Sequence, residues 1–85
     1  MNKQPGTPFP FDQPGTYQIK VLGQIDPTWS DRLQGMTICA DKVEAGRPLT
    51  NLEGELIDQA ALVGVIMTLY ELHLTLLSLR RLEKG

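Results

Sequence analysis

Residues 56–82 constrain the fold of this 85-residue chain more than any other stretch. They hold most of its large aliphatic side chains and its only histidine, His73. The apolar density of residues 61–79 approaches that of a membrane span, but Glu71 and His73 interrupt it. The run after His73, Leu74-Thr75-Leu76-Leu77-Ser78-Leu79, favours extended backbone. The segment therefore reads as a helix over about 55–73 giving way to a strand over 75–81, with Leu77 and Leu79 on one face, and not as a membrane helix.

At 100° per residue the helix carries a core stripe of Leu62, Val65, Ile66, Leu69 and Leu72. Beside it runs a second apolar stripe, Val63, Met67 and Tyr70, while Ala61, Gly64, Thr68 and Glu71 form a small or polar side. One sheet contact does not need an arc that wide. Four strands make a surface roughly 19 Å across, at about 4.8 Å per strand, and one helix covers only about 10 Å of it. Both considerations predict a homodimer or higher homo-oligomer, with Val63, Met67 and Tyr70 at the interface.

Upstream, residues 17–25 alternate Tyr17, Ile19, Val21 and Ile25 with Gln18, Lys20 and Gln24, the period of a half-buried strand. Asp26-Pro27 is a helix cap followed by a first-turn proline, and Gly35 suits the left-handed residue that ends a turn. A short helix follows, with Trp29 and Leu33 on one face and Trp29 as a packing anchor. Residues 36–41 alternate again, residues 41–46 read as a hairpin loop, and residues 47–52 return as a third strand placed at an edge by Pro48. Glu53, Glu55 and Asp58 then gather at the start of the long helix, where capping and the helix dipole favour acids. Residues 1–16 form a Pro/Gly-rich arm in which Phe9 and Phe11 stand out as rings able to dock on the body or on a neighbour. Residues 17–85 make one domain.

Composition narrows the functional classes. A hydrophobic content of 41% with 21% charged residues belongs to a globular chain rather than a disordered one. A net charge of -2 provides no electrostatic footprint for nucleic acid or an anionic membrane. The single cysteine, Cys39, permits no intrachain disulfide and fits a reducing cytoplasm. No CxxC, HxxxH or HExxH spacing is present, so no metal site is expected, and no GxGxxG or P-loop spacing suggests a cofactor. Cys39 and His73 are far apart in sequence with nothing to orient them as a nucleophile pair, so each is given a structural role.

Four stretches carry a resemblance: Gly23-Gln24-Ile25-Asp26-Pro27-Thr28-Trp29-Ser30, then Gly35-Met36-Thr37-Ile38, then Leu52-Glu53-Gly54-Glu55-Leu56-Ile57-Asp58-Gln59-Ala60-Ala61-Leu62, and finally Leu76-Leu77-Ser78-Leu79. Over residues 17–80 the chain resembles a group of short, mostly uncharacterised bacterial proteins with G-x-[IL]-D-x-x-W-S and L-x-G-x-x-x-D-Q-A-A-L-x-G elements. Their helix often has His where this chain has Val63, so no role for that imidazole transfers. The resemblance implies a compact α+β domain in a bacterial cytoplasm and confers no activity.

The expected fold is a two-layer α+β sandwich: a four-stranded, mainly antiparallel sheet with one long helix across a face and a short helix after the first strand. The succession is formally ferredoxin-like. The connection at 26–35 is short for a full crossover, so a three-stranded meander followed by a helix crossover fits equally well. Two functional classes follow: a non-enzymatic interaction or regulatory module that self-associates and binds a protein partner, or a small-molecule sensor with its pocket at a subunit interface. Asp26, Asp58, Trp29 and Leu33 are expected to serve the fold.

Overall fold

The computed structural model describes residues 14–82. Strand β1 (Gly15–Leu22) leads to a 3-10 helix (Pro27–Leu33), strands β2 (Thr37–Ala40) and β3 (Leu49–Leu56), helix α1 (Gln59–Glu71) and strand β4 (Thr75–Leu82). The sheet order is β2-β3-β1-β4 and every neighbouring pair is antiparallel. That decides between the two topologies left open by the sequence. β1 and β2 run the same way with β3 inserted between them, and β3 and β4 do so with β1 inserted. This is the ferredoxin-like split β-α-β arrangement, not a meander, with the first crossover helix reduced to a short 3-10 segment.

Alternation along β1 fixes the layers. Gly15, Tyr17, Ile19 and Val21 are buried, while Thr16, Gln18, Lys20 and Leu22 face the other side. Ile19 lies opposite Leu52 of β3, and Val21 lies opposite Thr50. α1 closes this face with Leu62, Val65 and Leu69; Ile66 and Leu72 are half-buried at its margins. Leu33 and Met36, which flank the end of the 3-10 helix, are fully buried in the same cluster.

Several boundaries differ from expectation. β3 runs to Leu56, so Glu53 and Glu55 are exposed strand residues and not the start of the helix. Alternation with Leu52, Gly54 and Leu56 outweighs their helix propensity. Asp58 alone caps α1, its Oδ1 accepting from the Ala61 N–H at 2.9 Å. β3 is an interior strand. Pro48 precedes it, and the Pro48 carbonyl accepts from the Gly23 N–H at 2.8 Å. β1 starts at Gly15, inside the region read as an arm, and ends at Leu22, so that Ile25 is buried beyond the strand. In β4, Ser78 pairs with Lys20 and Leu76 with Val21, leaving Leu77 as the extra residue of a bulge. The bulge returns Leu76 to the same face as Leu79, and Leu77 joins Leu22 and Leu49 on the opposite one.

The 3-10 helix is built as its caps suggest, with one shift. Asp26 Oδ1 accepts from the Thr28 N–H at 2.9 Å and Pro27 opens the segment. The left-handed turn begins at Gln34 (φ 61°) and continues through Gly35 (φ 78°). Trp29 is only half-buried at the rim of the core, with the Arg32 guanidinium 4.9 Å from its ring centre. Leu33 is the fully buried anchor.

Leu33→Ala should therefore cost about 2–5 kcal/mol, the range for emptying a buried leucine site. Trp29→Ala should cost less, because part of the ring never leaves water. Urea denaturation of the two variants checks the order. A pH effect follows from two carboxylates, exposed Asp26 and half-buried Asp41. The Thr28 backbone N–H holds the Asp26 carboxyl below its usual range, and the Lys42 backbone N–H, with Lys20 adding to it, does the same for Asp41. A depressed folded pKa means each contribution is complete above the ordinary carboxylate range, near pH 3.9, and is lost as pH falls through the lowered value. The melting-temperature gap between wild type and an Asp26→Ala/Asp41→Ala variant should be steady at neutral pH and narrow toward pH 3.

Candidate interaction surface

The helix layer does not cover the sheet evenly. The 3-10 helix lies against β2 and against α1, and Gly64 of α1 approaches the Gln34 side chain that follows the 3-10 helix. The Ala61, Gly64 and Thr68 side of α1 thus meets the 3-10 helix. Helical geometry carries Val63 and Tyr70 to the other flank, beyond half-buried Ile66, and turns Met67 nearly straight away from the sheet. Val63, Met67 and Tyr70 are 56%, 53% and 74% exposed. On β4, Leu76 and Leu79 share the helix-facing side with Val21 and Ile19 of β1 yet are 43% and 39% exposed. The same face is buried on β1 and open on β4. The domain therefore exposes apolar side chains in two places, on the outer side of α1 and on the helix-facing side of the edge strand β4.

Polar contacts tie α1 to the sheet at the start of β1. The Tyr17 hydroxyl accepts from Gln59 Nε2 at 2.6 Å and from Arg81 Nη1 at 3.1 Å. The Arg81 guanidinium also lies over the Tyr17 ring, 5.6 Å from its centre, and donates to the Pro14 carbonyl. Gly15 permits this path, because a side chain there would occupy the space of that guanidinium. These groups join the first turn of α1, the start of β1 and the end of β4. Sequence reading missed them, since Gln59, Tyr17 and Arg81 lie in three separate elements and only strand register brings them together. Phe9 and Phe11, expected at the same surface, lie outside the described residues.

The opposite face of the sheet holds a shallow groove of about 390 Å³. Leu22, Leu49 and Leu77 form its apolar lining, and Glu44, Ala45 and Arg47 of the β2–β3 hairpin border it. The hairpin turns at Ala45 (φ 54°) and Gly46 (φ 78°), with Glu44 and Arg47 exchanging both backbone hydrogen bonds at 2.9 Å.

Cys39 and His73 are not brought together. Cys39 pairs with Asn51 on the face of the sheet away from α1, whereas His73 follows α1 on the other layer in a left-handed conformation (φ 61°). The sheet stands between them. His73 ends the helix through its backbone, donating its N–H to the Tyr70 carbonyl at 2.9 Å. Among the described residues no group of three or more His, Cys, Asp or Glu side chains is placed to hold a metal ion. No helix among them is long and apolar enough to cross a membrane.

Residues 16–80 match the model of a domain of unknown function, DUF8691. The chain belongs to this family. The matched span begins at the second residue of β1 and ends within β4, so the family unit is the sheet with its two helices. No curated protein and no solved structure matches the chain.

Tyr17→Phe should lower stability by about 1 kcal/mol, the typical worth of a hydrogen-bonded hydroxyl. Chemical denaturation checks the magnitude. Because Tyr17 itself is buried, the self-association of the variant should be unchanged.

Proposed function

We propose that the domain is a non-enzymatic, self-associating interaction module. The observation that carries this reading is the exposed flank of α1: Val63, Met67 and Tyr70 stand in solvent above a core that is already closed by Leu62, Val65 and Leu69. Three large apolar side chains at helical spacing form a stripe, and grouped apolar exposure on a small domain marks an association surface. The separation of Cys39 from His73 by the sheet supports a binding role over a nucleophilic one.

A second reading, a small-molecule sensor with its pocket at a subunit interface, draws on the groove between the hairpin and β4. Its volume falls within the range of ligand sites, roughly 300–1,000 Å³, and its rim pairs an acid, Glu44, with a base, Arg47, over leucines. Native mass spectrometry separates the two readings: a small molecule retained on the oligomer favours the sensor, and a bare oligomer favours the interaction module.

Sedimentation at tens of micromolar should give a mass at least twice the 9.5 kDa of one chain. Met67→Glu/Tyr70→Glu, at two exposed positions, should leave the melting temperature of the fold nearly unchanged and weaken association at least tenfold. A wild-type protein that sediments as one chain overturns the proposal.

A further inference from the structure

We infer that two copies of this chain join edge to edge through β4, in antiparallel sense, so that their sheets merge into one of eight strands. The inference rests on the self-association reading and names its surface.

Among the described residues the sheet has two open edges, β2 and β4, and they are unlike. β2 has four residues and runs directly into Asp41 and Lys42. Short edge strands ending in charge are a common protection against unwanted pairing. β4 has eight residues, with neither proline, lysine nor acid among them, and four are leucine. Its bulge at Leu77 interrupts only the first part, since pairing with β1 is regular from Ser78 to Leu82. An open edge of this length, half of it leucine, invites another strand.

The occupant follows from charge and from magnitude. Arg80 and Arg81 sit toward one end of β4, and Thr75 to Leu79 are uncharged. Antiparallel pairing about a two-fold axis near the middle of the strand places the arginine end of each copy against the uncharged end of the other. A same-sense alignment gathers four guanidinium groups instead. Antiparallel pairing of a strand with itself is also self-complementary, which lets a dimer close. The α1 flank alone is insufficient. Three partly exposed side chains return little next to an association cost of roughly 4–15 kcal/mol. Edge pairing adds backbone hydrogen bonds and brings the part-exposed Leu76 and Leu79 of both copies together on the helix-facing side of the merged sheet.

The test is a spin-label distance. Arg80 is exposed, and its pairing with Gln18 puts it on the face away from α1. Nitroxides at residue 80 of a Cys39→Ser/Arg80→Cys variant should lie within about 25 Å of each other when the β4 edges pair, because neighbouring strands are only about 4.8 Å apart. A dimer stacked through its α1 flanks puts two sheets and two helix layers between the labels, more than about 30 Å at roughly 10 Å per layer. That longer distance overturns edge pairing and leaves self-association standing. A monomer mass for the unlabelled wild-type protein overturns both. Amide exchange in the wild-type dimer gives an independent measurement: protection at every residue from 78 to 81 is expected, and protection only at alternate residues overturns the pairing.

Discussion

The double pairing of β1 is the constraint on which the domain depends. This strand is hydrogen-bonded on both sides, to β3 from Gly15 to Leu22 and to β4 from Thr16 to Leu22. Its inward residues Ile19 and Val21 are fully buried, and its outward ones include Lys20, whose ammonium lies 3.4 Å from an Asp41 carboxylate oxygen. A slip of one residue exchanges those faces and drives Gln18 and Lys20 into the core. Register is therefore held by the cost of burying a charge as much as by the gain from the aliphatics. The placement of Tyr17 follows from that register, and with it the meeting of Gln59, Tyr17 and Arg81 at the first turn of α1.

The uneven helix layer has a local cause. Residues 23–36 must carry the chain from β1 past β3 to β2, and most of them are spent on the cap at Asp26, the 3-10 segment and the left-handed exit at Gln34 and Gly35. No full helix fits there. The 3-10 segment covers the β2 side and leaves α1 as the one long helix for the remainder. The open face of β4 is the outcome, and Leu76 and Leu79 remain only partly covered by the described residues.

How much of this could be read from sequence depended on what each residue's neighbours supplied. The period-2 pattern of β1 and the caps at Asp26 and Asp58 are local, and the residues that carry them are legible without a fold. The open flank of α1 was likewise visible in the spacing of Val63, Met67 and Tyr70. Glu53 and Glu55 misled because acids suit both a helix start and an exposed strand face, and only pairing with Thr37, Gln18 and Thr16 decides between them. Trp29 packs against the core but only in part: the compact turn gave the interior to Leu33 and left the ring at the rim under Arg32. The bulge at Leu77 has no local signature at all. It appears only when β1 and β4 are laid side by side, and it decides which leucines face α1.

The pairing of β1 with β4 also sets a timetable for folding. Gln18 meets Arg80 across some sixty residues of intervening chain, and contacts so distant in sequence form late, because closing the loop is entropically costly before any contact rewards it. β4 follows every other element in chain order. During synthesis β1, β2, β3 and α1 leave the ribosome first, and the strand destined for the centre of the sheet waits as an edge. Its backbone groups along Gln18 to Leu22 stay unpaired on that side for as long as β4 is held in the exit tunnel. A nascent chain of this domain therefore presents to its surroundings, for a limited time, an edge that the finished protein conceals.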